Sequence, residues 1–292
     1  MLKDKCGLIN SQDLKKPGTK FGYICLTIFF LLLSLVFVLP PLWTVLSSLK
    51  NVEEFIQMPP TIIPRSFEPQ KLLTAWNDLD FTKLYTNTLT ILVGTIAFKL
   101  SFCGFAAYVI SKVKPAGSKL IFTLIISTMM IPGQVTLVAV YKNILNFPIL
   151  NVNLINTYWP LFMMSGMDAF MIIVYKSFFD GIPTSLIEAA KIDGVGTFGM
   201  FFKIILPLSK SVIITSILLT MSGVWGDFFW PQMILKDDAL HTIMLAILKL
   251  KYTYPVDIQL AGLVFAIVPP VVIFLFLQKY IMEGFTMSGI KG

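Results

Sequence analysis

The chain has 292 residues, 56% of them hydrophobic and only 13% charged, with a mean hydropathy of +0.79. Soluble domains carry roughly 25% charged residues and disordered chains invert this composition, so both classes are excluded. Three scattered cysteines (Cys6, Cys25, Cys103) and a single histidine, His241, leave no disulfide framework, no metal centre and no Ser-His-Asp triad.

What remains is an all-α polytopic membrane protein, and its spans are taken in chain order. A polar head, 1–20, holds Lys3, Lys5, Lys15, Lys16 and Lys20; residues 21–49 then carry no charge. About 20 apolar residues cross a ~30 Å hydrocarbon core. This run is too long for a signal peptide and lacks an A-x-A site, so it is a retained first helix. Five further spans follow at about 84–110, 120–141, 154–175, 204–225 and 258–277. Six spans put both termini, 1–20 and 283–292, on one side. That side carries fourteen Lys and Arg against eight on the other, with net charges of +8 and 0. The positive side is cytoplasmic. The net charge of +7 is therefore a topology signal for a multi-pass protein of the bacterial plasma membrane and calls for no nucleic acid.

The first outer loop, 51–83, is pinned by Pro59, Pro60, Pro64 and Pro69 and is expected to be irregular. The long inner loop, 176–203, reads KSFFDGIPTSLIEAAKIDGVGTFGMFFK. Pro183 suits a first helical turn, Ser185-x-x-Glu188 fits a capping box, and Gly194 stands where a left-handed C-cap is wanted. This spacing predicts a short amphipathic helix over 184–193, its small Ala189 and Ala190 leaving room for a neighbouring protein. Gly194-Val-Gly196-Thr-Phe-Gly199 matches GxGxxG, but a dinucleotide cradle needs a preceding strand, and a helix precedes it here. No GxxxxGK[ST] occurs, so the chain has no P-loop of its own.

Glu188-Ala189-Ala190, three residues, Gly194, nine residues, then Ile204-Ile205-Leu206-Pro207 resembles the EAA signature of the membrane permeases of binding-protein-dependent ABC importers. The likeness runs almost end to end. It is greatest to the carbohydrate-importing branch, particularly the smaller permease of maltose-type systems. SLKNVEEFIQMPPTIIP (47–63), YTNTLTI (85–91), AAYVISKVKPAGSKLIF (106–122), MMIPGQVTLVAVYKNI (129–144), LINTYWPL (154–161), WGDFFWP (225–231) and QKYIMEGFTMSGIKG (278–292) all resemble family segments. One departure is Lys210-Ser211, where such permeases often place a proline. The resemblance implies a six-helix ABC importer transmembrane domain over 21–282 that moves a sugar or oligosaccharide. Its 176–203 loop is implied to be a coupling loop docking on a separate ATPase through Glu188, Ala189, Ala190, Asp193, Gly194, Leu206 and Pro207. The implied partners are a second homologous permease, an ATPase dimer holding ATP and magnesium, and an extracytoplasmic sugar-binding protein. The chain itself is then no enzyme and binds no cofactor.

Sugar sites combine aromatic faces with hydrogen-bonding groups, and intramembrane ionisable residues are candidates by default. Asp168, Asn87, Gln134, Trp225, Asp227 and Trp230 therefore stand as substrate-path candidates. Trp159, Trp225 and Trp230 fit an interfacial belt equally well. Lys99 either snorkels or pairs with a carboxylate. Asp168, flanked by apolar residues in mid-span, faces a cavity or a partner permease. Met163, Met164, Met167 and Met171 read as adaptable packing. A secondary transporter would share the spans and carboxylates but would not need the EAA loop. Permeases for other small solutes remain the alternative within the same class.

Overall fold

The computed structural model describes residues 16–148 and 150–288. Lys3, Lys5, Lys15 and Cys6 of the first tail, and the last four residues of the second, lie outside the described residues. The described chain is helical, with no β-sheet, and its helices are α1 (Pro17–Ser48), α2 (Val52–Ile56), α3 (Gln70–Asp78), α4 (Phe81–Val113), α5 (Ser118–Thr128), α6 (Gly133–Leu145) and α7 (Trp159–Gly166), followed by α8 (Ala169–Asp180), α9 (Thr184–Ile192), α10 (Thr197–Leu208), α11 (Lys210–Gly226), α12 (Phe229–Ile234), α13 (Ile243–Thr253) and α14 (Val256–Ser288). Three helices, α1, α4 and α14, are long and apolar enough to cross a membrane unbroken. Three bent pairs, α5–α6 at 101°, α7–α8 at 50° and α10–α11 at 80°, bring the count up to six where each pair is one broken span.

Each bend has a local cause. Pro132 opens α6 with extended backbone, and its ring keeps the preceding residue out of the helical region. Between α7 and α8, Met167 and Asp168 leave helical geometry, with ψ of 89° and 114°. Ser209 (φ −99°, ψ 18°) separates α10 from α11 just past Pro207, and its hydroxyl donates to Ile205 O at 2.6 Å. A continuous fifth span over 204–225 was expected from the sequence. The bend instead assigns residues 204–208 to α10. The run counted from residue 154 becomes helical only at Trp159. The stretch before it is fixed by Asn156, which adopts the left-handed region (φ 57°) tolerated by asparagine. Its Oδ1 accepts from Lys236 N at 2.6 Å and Asp237 N at 3.1 Å.

The chain forms two compact units. The first comprises residues up to Ala75 together with Pro255–Val264, and the second Trp76–Tyr254 with the residues from Phe265 onward. In the first, the proline-pinned segment is ordered around one carboxylate. Glu54 accepts from Thr61 Oγ1 (2.6 Å), Arg65 N (2.8 Å), Ser66 N (2.9 Å) and Ser66 Oγ (2.7 Å). Asn51 caps α2 through Glu54 N, and the buried Lys50 donates to Thr61 O while its ammonium lies 4.3 Å from the centre of the Trp43 ring. Lys71 joins Glu68 (3.0 Å) and Asp257 (2.9 Å). Burial opposes the Lys71 charge, but its two carboxylate partners outweigh burial and raise its pKa.

The second unit contains two apolar cores. One surrounds Trp225 and takes Phe81, Leu84, Ile91, Leu161, Val224, Ile234 and Leu245. The other surrounds Tyr175 and takes Cys103, Tyr108, Met171, Phe179, Ile187, Ala190, Phe201 and Ile205. Two unbroken helices, α4 and α11, run through both, α11 with Val212 in the second core and Val224 in the first; α7 ends in the first core and α8 begins the second. Midway, α4 widens into π-helical turns at Lys99–Gly104 and Val109–Val113.

Within the first core, α14 carries Pro269 and Pro270. A proline has no N–H to offer the carbonyl four residues earlier, so Phe265 O and Ala266 O lose their helical donors. Tyr85 OH donates to Phe265 O at 2.6 Å, and Trp225 Nε1 to Ala266 O at 3.0 Å. In a membrane, where water cannot satisfy a freed carbonyl, such side-chain donors make a double proline tolerable.

Candidate functional site

The helix α9 runs from Thr184 to Ile192, close to the span expected from its sequence. Its N-terminus differs from the expected capping box. Pro183 occupies the cap position, so Ser185 falls two positions past the cap and no side-chain cap bond forms. The C-terminus is a complete Schellman motif. Gly194 takes φ +76°, its N–H reaches Lys191 O at 3.1 Å, and Val195 N–H reaches Ala190 O at 3.0 Å.

The two faces of α9 are unlike. Ile187 and Ala190 are buried in the Tyr175 core, which fixes the helix to α8, α4 and α10. Leu186, Glu188, Ala189, Lys191, Ile192 and Asp193 are exposed, Ile192 by 86%. The alanine pair is thus divided: Ala190 packs inward and Ala189 keeps the outer surface low. Glu188 and Asp193 have no ion pair among the described residues. Pro207 is exposed, and Leu206 is partly buried against the same core.

Asp168 is not in the middle of a continuous helix. It caps α8, its Oδ1 accepting from Phe170 N at 2.9 Å, and its Oδ2 lies 3.4 Å from Lys99 Nζ. Of the two sequence readings of Lys99, pairing is the one observed, since its side chain is only 8% exposed. Asp168 also borders a groove of about 340 Å³ with Phe102, Met167 and Ile172.

The other path candidates are dispersed. Asn87 donates to Ala239 O (2.9 Å) and His241 O (3.0 Å), which ties α4 to the turn before α13. Thr88 helps by accepting from Ile243 N at 3.1 Å. Trp225 is buried, and its indole N–H serves the carbonyl freed by Pro270. Asp227 caps α12, accepting from Phe229 N at 3.0 Å. Trp230 is half-buried against the Trp225 core, and Gln134 is exposed in the first turn of α6. Sequence reasoning missed Tyr85, Cys103 and Asn156. Tyr85 sits four residues from Leu89 on an ordinary-looking helix, and only its bond to Phe265 O, the carbonyl freed by Pro269, reveals its task. No group of His, Cys, Asp and Glu suited to a metal occurs among the described residues.

Three unbroken apolar helices, up to six spans if each bent pair crosses once, with a short helix packed on the Tyr175 core and exposed on its far side, define a polytopic membrane protein. The family described as binding-protein-dependent transport system inner membrane component matches residues 100–286, and the chain belongs to it. It is 29% identical to the arabinooligosaccharides transport system permease protein AraQ of Bacillus subtilis (strain 168), over 92% of this chain and 96% of that protein. Identity reaches 32% with the galactooligosaccharides transport system permease protein GanQ of the same organism, over 92% and 97%. The fold is shared with a bacterial ABC transporter involved in the import of the acidic polysaccharide alginate. That match has a TM-score of 0.80 at 20% identity and covers 91% of this chain and 98% of that one.

Proposed function

We propose that this chain is a permease subunit of an ATP-driven importer for a sugar or oligosaccharide delivered by an extracytoplasmic binding protein. The relatives named for arabino- and galactooligosaccharides support the substrate class, and the family supports dependence on a binding protein. In this reading both termini are cytoplasmic, a second homologous permease completes the path, and an ATPase dimer supplies the energy. The observation that carries the proposal is α9, with one face buried in the Tyr175 core and the other presenting Glu188, Ala189 and Asp193.

The ATPase dimer holds ATP and magnesium, and its closure moves the groove in which α9 sits. Because Ile187 and Ala190 are buried in the Tyr175 core, displacement of α9 is passed to that core. Coupling requires the ATPase to bind the two permease conformations with different free energies. The exposed carboxylates of Glu188 and Asp193 suit a basic edge on that groove.

The test is Glu188→Lys alongside Gly194→Asp. The first reverses the dock's charge. The second forces a side chain onto φ +76°, where a Cβ meets nothing within 4 Å, so it adds backbone strain of about 1–2 kcal/mol and a carboxylate at the helix C-terminus without a clash at Cβ. Membrane vesicles of the assembled transporter are assayed for co-purifying ATPase subunit and for ATPase stimulation by the binding protein. Both variants should insert normally and lose stimulation. Wild-type coupling in both would overturn the docking assignment.

A further inference from the structure

Three ties from one stretch of α4 converge on the break between α7 and α8. Gly166, the last residue of α7, lies so close to α4 that a Cβ on it would stand 2.5 Å from Phe98 Cβ. Cys103 Sγ donates to Gly166 O at 3.1 Å and accepts from Asp168 N at 3.2 Å. These are the carbonyl and amide that the break removes from the helical ladder, and a membrane offers no water to take them. Lys99 Nζ then holds the Asp168 carboxylate at 3.4 Å. Lys99 and Cys103 both belong to the π-helical turns, and both are buried. The break is also where the chain of this bent span passes from one core to the other, beside the unbroken α4 and α11, since Leu161 of α7 belongs to the Trp225 core and Met171 of α8 to the Tyr175 core that holds α9.

We infer that Lys99, Cys103 and Asp168 form a latch closing this break, which opens when the Tyr175 core moves with α9 relative to the Trp225 core. Lys99 and Cys103 are positioning residues acting through Asp168 and the backbone of the break. The opening half of the inference rests on the importer reading. The latch itself does not, because it concerns contacts within this chain.

Cys103 reports on its own latch. With Cys6→Ser and Cys25→Ser in place it is this chain's sole thiol, and the neighbouring groove gives a small reagent a route to it. The rate of N-ethylmaleimide labelling is measured by mass on this chain, in membranes containing the assembled transporter. Lys99→Met should raise the resting rate roughly tenfold, the equilibrium factor of a strong intramembrane polar contact, while Lys99→Arg leaves it near wild type. Should Lys99→Met not accumulate, Asp168→Asn keeps the cap acceptor, removes the ion pair, and should raise the rate likewise. An unchanged rate in the ion-pair variant overturns the latch. Trapping the transporter with ADP and vanadate should accelerate labelling of the otherwise wild-type chain, and equal rates in the two states overturn the opening. A transporter without ATPase activity would refute the importer reading separately, and the ion-pair variants are read on this chain alone.

Discussion

The double proline of α14 yields a test in which each side-chain donor has its own matched proline. Trp225→Phe removes the indole N–H that reaches Ala266 O at 3.0 Å, leaving a carbonyl already deprived of its helical donor by Pro270. Intramembrane side-chain hydrogen bonds are worth ~0.6 kcal/mol on average and up to ~1.7 kcal/mol. A carbonyl with no alternative donor belongs at the upper end, so about 1–1.7 kcal/mol is expected beyond the loss of ring volume. Pro270→Ala separates the two contributions, because it returns an N–H to the helix four residues from Ala266. In that background Trp225→Phe should lose only the packing share. Reversible unfolding of the four proteins in mixed micelles gives the coupling energy of the cycle. Trp225→Phe combined with Pro269→Ala should show none, since Pro269 frees Phe265 O, which Tyr85 serves. A coupling of zero with Pro270→Ala, or an equal one with either proline, would refute the pairing of donors to freed carbonyls.

Two further predictions concern positions where space and charge are tightly set. Gly94→Ala would place a Cβ 2.4 Å from the Phe162 ring. Phe98, Trp159 and Tyr158 crowd that ring, so overpacking should destabilise by about 1–3 kcal/mol in the same unfolding assay; an effect near zero would show that the ring swings aside. Glu54→Gln turns amide hydrogens toward donors and should abolish hydrogen-exchange protection of the Arg65 and Ser66 amides. Hydrogen bonds from Thr61 and then Ser66 lower the Glu54 pKa from 4.5 to about 2. The sign follows: the group binds a proton more readily when the loop is unfolded, so its contribution is complete above pH 4.5 and fades as the pH falls toward 2. Protection corrected for intrinsic rate should stay flat from neutrality down to about pH 5 and fall below it. A decline that begins near neutrality would contradict this.

The helical membrane class was legible because hydropathy over a membrane thickness is a long-range average, insensitive to single residues. The breaks were not. Pro132 carries a helix-breaking signal of its own, whereas Ser209 and the Met167–Asp168 step lie inside apolar runs, and those two bends follow from backbone angles that composition does not encode. The short α9 was readable since Pro183 and Gly194 bracket it with local geometry. Its expected capping box failed for a local reason too, as Pro183 took the cap and shifted Ser185 inward by two positions. The ionisable residues were visible as candidates, yet their roles depended on partners far along the chain. Asp168 finds Lys99 across 69 positions and Asn87 finds Ala239 across 152, and no spacing rule connects them. Trp225 looked like a surface aromatic because its partner, an orphaned carbonyl, has no side-chain signature.

The segment gathered around Glu54 has a consequence for whatever approaches it. Four groups donate to that carboxylate, and Lys71 links the following helix to Lys50 O at 3.0 Å, so this stretch is folded before any encounter. Side chains immobilised on association cost roughly 0.5–1.5 kcal/mol each in lost freedom, and here much of that ordering is already complete in the resting chain. A partner arriving at this surface meets a fixed relief, and its rate of capture is then set by diffusion and orientation, typically about 10⁵–10⁷ M⁻¹s⁻¹, with no slower folding step added.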